Sequence, residues 1–495
     1  MSRTKHATKH AVSAKAERVR HTLPCPAATW SDGHILGNGD LGAVVWGTAE
    51  MLHVGLSKHD VHDLRGVGAH GYRWTRTYPE LVAAIRAGRR GDMMTIGGPF
   101  GGQPQYPIPL GCGRLSLELL RDTPVERFVQ TLDLEAATVT VETRASARCV
   151  PAGAPVRVRI RVQADRPLLL AELACPERRT NVWRFDRART PWLPAPRYTV
   201  ARLGGRPTGC MTHDLDREIA YAVAVTALGG TFAVAASPDG LHGTLEFGGG
   251  AGAVTLAVGL LSARDARGRP GPVVRTLMAA LVHRPAHARR VLDRAHAAHW
   301  RRFWRRSDVT YAEPDIERLW RFGLYALACS TRPDTSPPHL QGIWNQHEVP
   351  PWHSDYHFNV NVQECHWVAC PSNHPELQEA LVRMLVRDWR RELRRFAREQ
   401  YEAPGLAVPF CADWKGRAIH GWPLAAELGN TAWIAQHVWW QWQHTGDRRR
   451  LRDEWYPFLR ECCAFYRHLL VRGADGLYHV ELSHSPEQEI VTRRG

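Results

Sequence analysis

Between Cys25 and Arg264, apolar and polar residues alternate in short runs. LGAVVWG (41–47), MLHVGLS (51–57), RLSLELL (114–120), FVQTLDL (128–134) and ATVTVET (137–143) are the first five. VRVRIRV (156–162), AYAVAVTAL (220–228), TFAVAAS (231–237) and AVTLAVGLL (253–261) follow. They are rich in Val, Leu and Thr, and Gly, Pro, Asp or Asn separates them, the signature of strands joined by turns. At least nine such segments without a long helical pattern predict a large antiparallel β-sandwich.

Near Pro272 the period changes. Residues 273–307 read as helix interrupted at Pro285, a helical linker over 265–310. Beyond it the pattern predicts an all-α domain, 311–495. IERLWRFGLYALACST (316–331) is one helix. Asn373-His-Pro-Glu376 reads as a capping box opening the next. There Leu377, Leu381, Met384, Leu385, Trp389, Leu393 and Phe396 recur at spacings of three and four, an apolar stripe with arginines on the other face. TAWIAQHVWWQWQHTG ends at Gly446, a C-cap glycine. EWYPFLRECCAFYRHLLVRG (454–473) is a further helix with Pro457 in its first turn.

Composition narrows the class. At 44% hydrophobic and 23% charged residues the chain is globular, and 495 residues exceed one ordinary core. No stretch approaches the run of about 20 apolar residues of a membrane span. The formal charge of +15 permits nucleic-acid binding, but the arginines spread along the whole chain, which disfavours a dedicated basic surface. Residues 1–24 are basic, lack an apolar signal core, and read as a disordered tail of a cytoplasmic protein. Eleven cysteines, scattered and without a CxxC pair, argue against a disulfide framework or zinc site. No metal or other cofactor is expected, and the oligomeric state is not legible.

Candidate chemistry concentrates in residues 339–367, HLQGIWNQHEVPPWHSDYHFNVNVQECHW. Trp344, Asn345, Trp352, Asp355, His357, Asn359 and Asn361 interleave aromatic rings with hydrogen-bonding groups. Sugars offer C–H faces for such rings and hydroxyls for such groups. A polar loop with two core tryptophans has the same composition. A second stretch, LSHSPEQE (482–489), places Glu487 just beyond a helix and turn. A loop carboxyl with a raised pKa is a general acid, although a lone Glu there is more often a solvated charge. A third, HILGNGDLGAVVWG (34–47), is neither a dinucleotide fingerprint nor a phosphate loop, and reads as a tight turn with a positive-φ glycine.

The order and wording of these stretches resemble glycoside hydrolase family 95, the inverting α-L-fucosidases and their relatives. Leu36 to Ala43 is similar to that family's LGNGRLGA-like opening, residues 340–367 to its LQGIWN…PPWGSDYHTNINLQMNYW-like segment, and Gly446 through Glu487 to its GDxxFL…SPSxSPE-like segment. The resemblance spans roughly residues 25–490 and weakens between 50 and 310. It implies an N-terminal antiparallel β-sandwich (25–264), a helical linker and an (α/α)6 barrel. It also implies an oligosaccharide or glycoside substrate bearing a terminal α-linked fucose- or galactose-like sugar. By the same resemblance Glu487 is the general acid, Asn359 and Asn361 hold the attacking water, and His357 contacts the sugar. Trp344, Asn345, Trp352 and Asp355 complete the substrate-binding set.

The chain also departs from that pattern. The family's general base is an Asp in an IDGNFG-like segment well beyond SPE, and here Glu487 is followed by eight residues. The expectation is therefore an incomplete barrel with little or no turnover. Phe358 stands where the family usually has a smaller residue, a change expected to alter the pocket. Two rivals stand beside this reading: a carbohydrate-binding protein without catalysis, and a basic nucleic-acid-binding protein whose affinity would fall steeply with salt.

Overall fold

The computed structural model describes residues 19–23, 25–64, 77–88, 107–120, 124–146, 155–188, 190–215, 219–249, 252–419, 426–483 and 491–492. The chain divides into two compact units. The first comprises residues 1–61, 110–330 and 343–348, and the second 62–109, 331–342 and 349–495.

The first unit is built on two large sheets. The nine-stranded sheet has the spatial order Arg20–Thr22, Val125–Asp133, Thr138–Ala145, Val156–Val162, Leu168–Ala174, Val254–Ser262, Ala220–Leu228, Arg206–Asp214 and Arg197–Leu203. Each of its ladders is antiparallel. The second sheet runs Thr231–Phe232, Gly240–Phe247, Arg179–Asp186, Ile108–Glu118, Met51–Asp63, Leu41–Gly47 and His34–Gly37. TFAVAAS is broken into Thr231–Phe232 and Ala235–Ser237, which both pair with Gly240–Phe247.

Ala220–Leu228 and Val254–Ser262 are buried at every position. The reason is cover on both faces. The helix Pro270–His283 lays Val274, Met278, Leu281 and Val282 on Leu168, Ala222, Ala224 and Ala257. Seven strands of the two sheets, Arg20–Thr22 and Gly240–Phe247 among them, escape the alternation argument. Leu168–Ala174 reads LLLAELA, all helix formers, and becomes a strand because its neighbours pair with it on both sides. Arg197–Leu203 carries no fully buried residue and so leaves no apolar rhythm. His34–Gly37, Arg179–Asp186 and Arg206–Asp214 were likewise not distinguished as separate runs. Residues 1–18 of the basic tail lie outside the described residues, and Arg20–Thr22 at its end forms the edge strand.

The HILGNGDLG segment is the turn its glycines suggest. Gly39 has φ +81°. Asn38 Oδ1 accepts the Asp40 and Leu41 amides at 3.0 and 2.8 Å, and its Nδ2 donates to Gln163 and Arg166 carbonyls at 2.7 and 3.0 Å. Asp40 meets Lys58, which is fully buried and also faces Asp265 at 3.0 Å and Asp60 at 3.7 Å.

The second unit is largely helical. The stripe Leu377, Leu381, Met384, Leu385, Trp389, Leu393 and Phe396 is buried throughout. Its helix is not continuous: Glu379–Arg383 passes through a wide turn at Met384–Asp388 before Arg390–Tyr401 resumes. Gly429–Thr445 ends at Gly446, φ +65°, whose amide donates to Trp442 O at 2.7 Å.

Two expectations need correction. The capping box at Asn373–Glu376 does not form. Asn373 takes φ +59°, and His374 stands at the helix start with Nδ1 2.8 Å from Glu376 Oε1. Pro375 forces this, because the residue before a proline avoids helical backbone, and the entry is pinned one residue later. Nor is the region all-α. Tyr356–His357 pairs with Cys411–Ala412, and Leu470–Arg472 with Tyr478–Val480.

Candidate functional site

The site segment of the second unit begins with a bend. Pro350 and Pro351 deny it amide donors, and Trp352, His353 and Ser354 follow with φ of +47°, +58° and +50°. Left-handed backbone at non-glycine residues costs about 1–2 kcal/mol each, so tertiary bonds must hold it. The Ser354 hydroxyl supplies them, 2.8 Å from His339 Nδ1 and 3.1 Å from the Gln341 amide, which donates to it. Trp352 is left 71% exposed at the tip of the bend.

The chain then runs extended. Tyr356 and Phe358 are buried and pack edge-on against Trp389, with ring centroids 5.3 and 6.0 Å away. His357, in the two-residue strand, and Asn359, in the turn that follows it, stay half-buried. Phe358 fills the core beside Trp389. The Cys411–Ala412 strand holds the segment, and the Phe358 amide donates to Phe410 O at 2.8 Å.

His357 Nδ1 lies 2.6 Å from Asp355 Oδ1. Burial works against a charged imidazole there, but the hydrogen bond and charge of Asp355 outweigh it and raise the His357 pKa. Asn359 is half-buried, and its Oδ1 has no partner among the described residues. Asn361 is exposed and opens the helix Asn361–His366. Behind it, burial depresses His366 to about 4.

Two residues that sequence reasoning missed complete the neighbourhood. Cys411 brings its thiol to within 4.8 Å of the Asp355 and His357 donor atoms. Burial, then the negative charges of Asp355 and Glu427, hold that thiol protonated, its pKa well above the ordinary value. Glu427 is 8% exposed, and its Oε2 has no partner among the described residues. Burial pushes its carboxyl up to about 7. No motif flags either residue, since Cys411 comes from a two-residue strand and Glu427 from the turn before a helix. Asp355, His357 and Cys411 have the composition of a metal-ligand set. The Asp355–His357 bond and the protonated thiol instead satisfy the three groups with one another. In the first unit Asp40, His59 and Asp60 are similarly grouped, and there the Lys58 ammonium is the cation.

The other expected site residues fall elsewhere. Trp344 and Asn345 belong to the first unit. Trp344 is buried, and its indole N–H donates to Leu36 O at 2.9 Å. Asn345 Oδ1 accepts the His347 amide at 3.0 Å while Nδ2 donates to His347 O at 3.2 Å, so its amide shapes its own loop. Glu487 lies outside the described residues.

A two-sheet β unit and a largely helical unit are consistent with a fold like that of glycoside hydrolase families 65 and 95. Residues 294–495 match the glycosyl hydrolase family 95 catalytic domain, and residues 22–258 match the N-terminal domain of glycosyl hydrolase family 65. Over residues 294–495 the chain is similar to the α-L-fucosidase-like family 95. It is 34% identical over 195 residues to Alpha-L-fucosidase 2 of Arabidopsis thaliana, covering 37% of this chain and 22% of that protein. It is 29% identical over 184 residues to the protein named probable alpha-fucosidase A of Aspergillus niger, covering 35% and 23%. The matches thus span less than a quarter of these curated relatives. In fold it is similar to a human-microbiome protein described as a candidate kojibiose phosphorylase, with TM-score 0.67 and 9% identity, covering 95% of this chain and 62% of that one. Among the described residues no helix is long and apolar enough to cross a membrane.

Proposed function

We propose that this protein is an inverting glycoside hydrolase for a terminal α-linked fucose- or galactose-like sugar. The names of the curated relatives support the sugar class. The observation that carries the reading is the alternation at residues 356–359. It buries Tyr356 and Phe358 and leaves half-buried both His357, fixed by Asp355, and Asn359, with its unsatisfied Oδ1. A sugar hydroxyl or a water is the natural donor for that oxygen.

Inversion divides the work. The glycosidic oxygen takes a proton as its bond to the anomeric carbon breaks, and a water on the opposite face loses one as it attacks. The donor role falls to Glu487, on its SPE motif. Asn359 and Asn361 orient the water but cannot accept its proton, because amides are not bases at neutral pH. Glu427 is the described carboxyl whose protonation balance suits that transfer: half its molecules are ionised near pH 7, where a general base works best.

The test is hydrolysis of aryl α-L-fucoside and of α- and β-galactosides by the purified chain, with the anomer of the released sugar followed by proton NMR. Slow turnover with inversion, lost in Glu487→Gln, is the expected result. Retention of configuration, or activity unchanged in Glu487→Gln, would refute it. Saturable sugar binding without turnover would favour the carbohydrate-binding alternative.

A further inference from the structure

The first unit contains a cavity of about 140 Å³, formed wholly from its own residues. Trp30, Trp46, Arg114, Asp186, Arg187 and His347 are among its walls. It is smaller than the roughly 300–1,000 Å³ of pockets for drug-sized ligands, so it suits one small ring. Two indoles supply flat apolar surface. Trp30 is held edge-on to His347 at 4.9 Å between ring centroids, and Trp46 packs against His53 at 5.3 Å.

The polar groups are arranged for a neutral guest. Asp186 is mostly buried and accepts from Arg114 at 3.3 Å and from Arg184 at 3.2 Å. Arg187 is buried and spends its donors on protein: Nε on Gly111 O at 3.2 Å, Nη1 on Ala188 O at 2.8 Å and Thr190 Oγ1 at 3.1 Å. The lining acids Asp186 and Glu348 balance Arg114 and Arg187. Arg187 is engaged with the protein and Asp186 pairs with Arg114, which disfavours an anionic guest. A pyranose finds a ring face for its C–H groups and, in the Arg114–Asp186 pair, a donor beside an acceptor at the spacing of vicinal hydroxyls. The wall is also close-fitted: a Cβ at Gly113, where φ is +126°, would meet the Phe185 ring at 2.5 Å.

We propose that this cavity is an accessory binding site for a single neutral pyranose, such as one residue of an oligosaccharide substrate. Binding here is independent of turnover and does not require the catalytic reading. The whole chain is titrated with methyl α-L-fucopyranoside, methyl α-D-galactopyranoside and methyl α-D-glucopyranoside, followed by saturation-transfer NMR and tryptophan fluorescence. A galacturonate is the anionic control. Asn359→Ala serves as background, so that sugar bound in the second unit is distinguished.

The expected result is a dissociation constant of about 1–10 mM for at least one neutral sugar, as a single ring with few contacts allows. It should survive Asn359→Ala and weaken by at least about tenfold in Trp46→Ala through loss of stacking. Arg114→Ala, at a half-exposed position, should weaken it too and guards against misfolding of the tryptophan variant. The idea is overturned if binding vanishes in Asn359→Ala alone or is untouched by Arg114→Ala. A preference for galacturonate that falls with salt would also overturn it, as would absence of any neutral-sugar binding.

Discussion

Asp355 Oδ1 and His357 Nδ1 lie 2.6 Å apart, two residues along one extended segment. Period-two geometry places them on the same side of the chain. The carboxylate accepts from Nδ1 and so fixes which ring nitrogen carries a proton. In the proposed reaction Asp355 is spent on orientation, and the water-activating role falls to another carboxyl.

Asp355→Asn should remove the charge and most of the hydrogen-bond strength that raise the His357 pKa. Burial then dominates, and the His357 pKa should fall below its ordinary value. Proton NMR titration of the His357 ring reads this directly. Turnover should drop about 10- to 100-fold, the loss of a charge-assisted bond worth about 1.5–3 kcal/mol. An unmoved His357 titration would refute the coupling.

Glu427→Gln should change both the pH profile and the stability. A carboxyl raised to about 7 favours the folded state most below its unfolded pKa, near 4.5, and that contribution is lost as pH rises through 7. Gln mimics the protonated form. The variant should therefore be more stable than wild type at pH 8, by about 1–3 kcal/mol, and nearly equal to it at pH 4.5. Thermal melts at the two pH values decide this, and any rate inflection near pH 7 should disappear.

Acid should act through buried imidazoles. His366 is depressed to about 4 and His437 to about 3, His366 by burial and His437 by burial and by the other ring. A depressed histidine contributes stability above pH 6.5 that is lost as pH falls toward its folded value, up to about 3 kcal/mol each. Urea midpoints should fall between pH 6.5 and 4. His437→Gln should flatten that slope, and an unchanged slope would exclude this origin.

Lys58→Met should destabilise the first unit by about 3–5 kcal/mol, because it strands the Asp40 and Asp60 carboxylates in the interior without their cation. Burial opposes the ammonium, yet Asp60, Asp40 and Asp265 raise its pKa. Denaturant unfolding followed by tryptophan emission measures the loss. A change below about 1 kcal/mol would mean that the carboxylates are hydrated or protonated.

What the sequence determined by itself is local and periodic. Alternation in AYAVAVTAL and AVTLAVGLL marks strands because successive side chains take opposite faces. The stripe from Leu377 to Phe396 marks a buried helical face because residues three and four apart share a side. The turn at Gly39 and the His357–Asn361 segment were likewise legible, since each acts within a few residues of itself. Only the tertiary structure decided the rest. LLLAELA became a strand through partners on both flanks, and Phe358 went to the core because Trp389 lies beneath it. Trp344 reads as a sugar platform by composition, yet its indole is bonded to Leu36. Cys411 and Glu427 carry no motif. They matter because packing across distant stretches of chain buries both and brings Asp355 beside the thiol, which changes the chemistry of a thiol and a carboxyl.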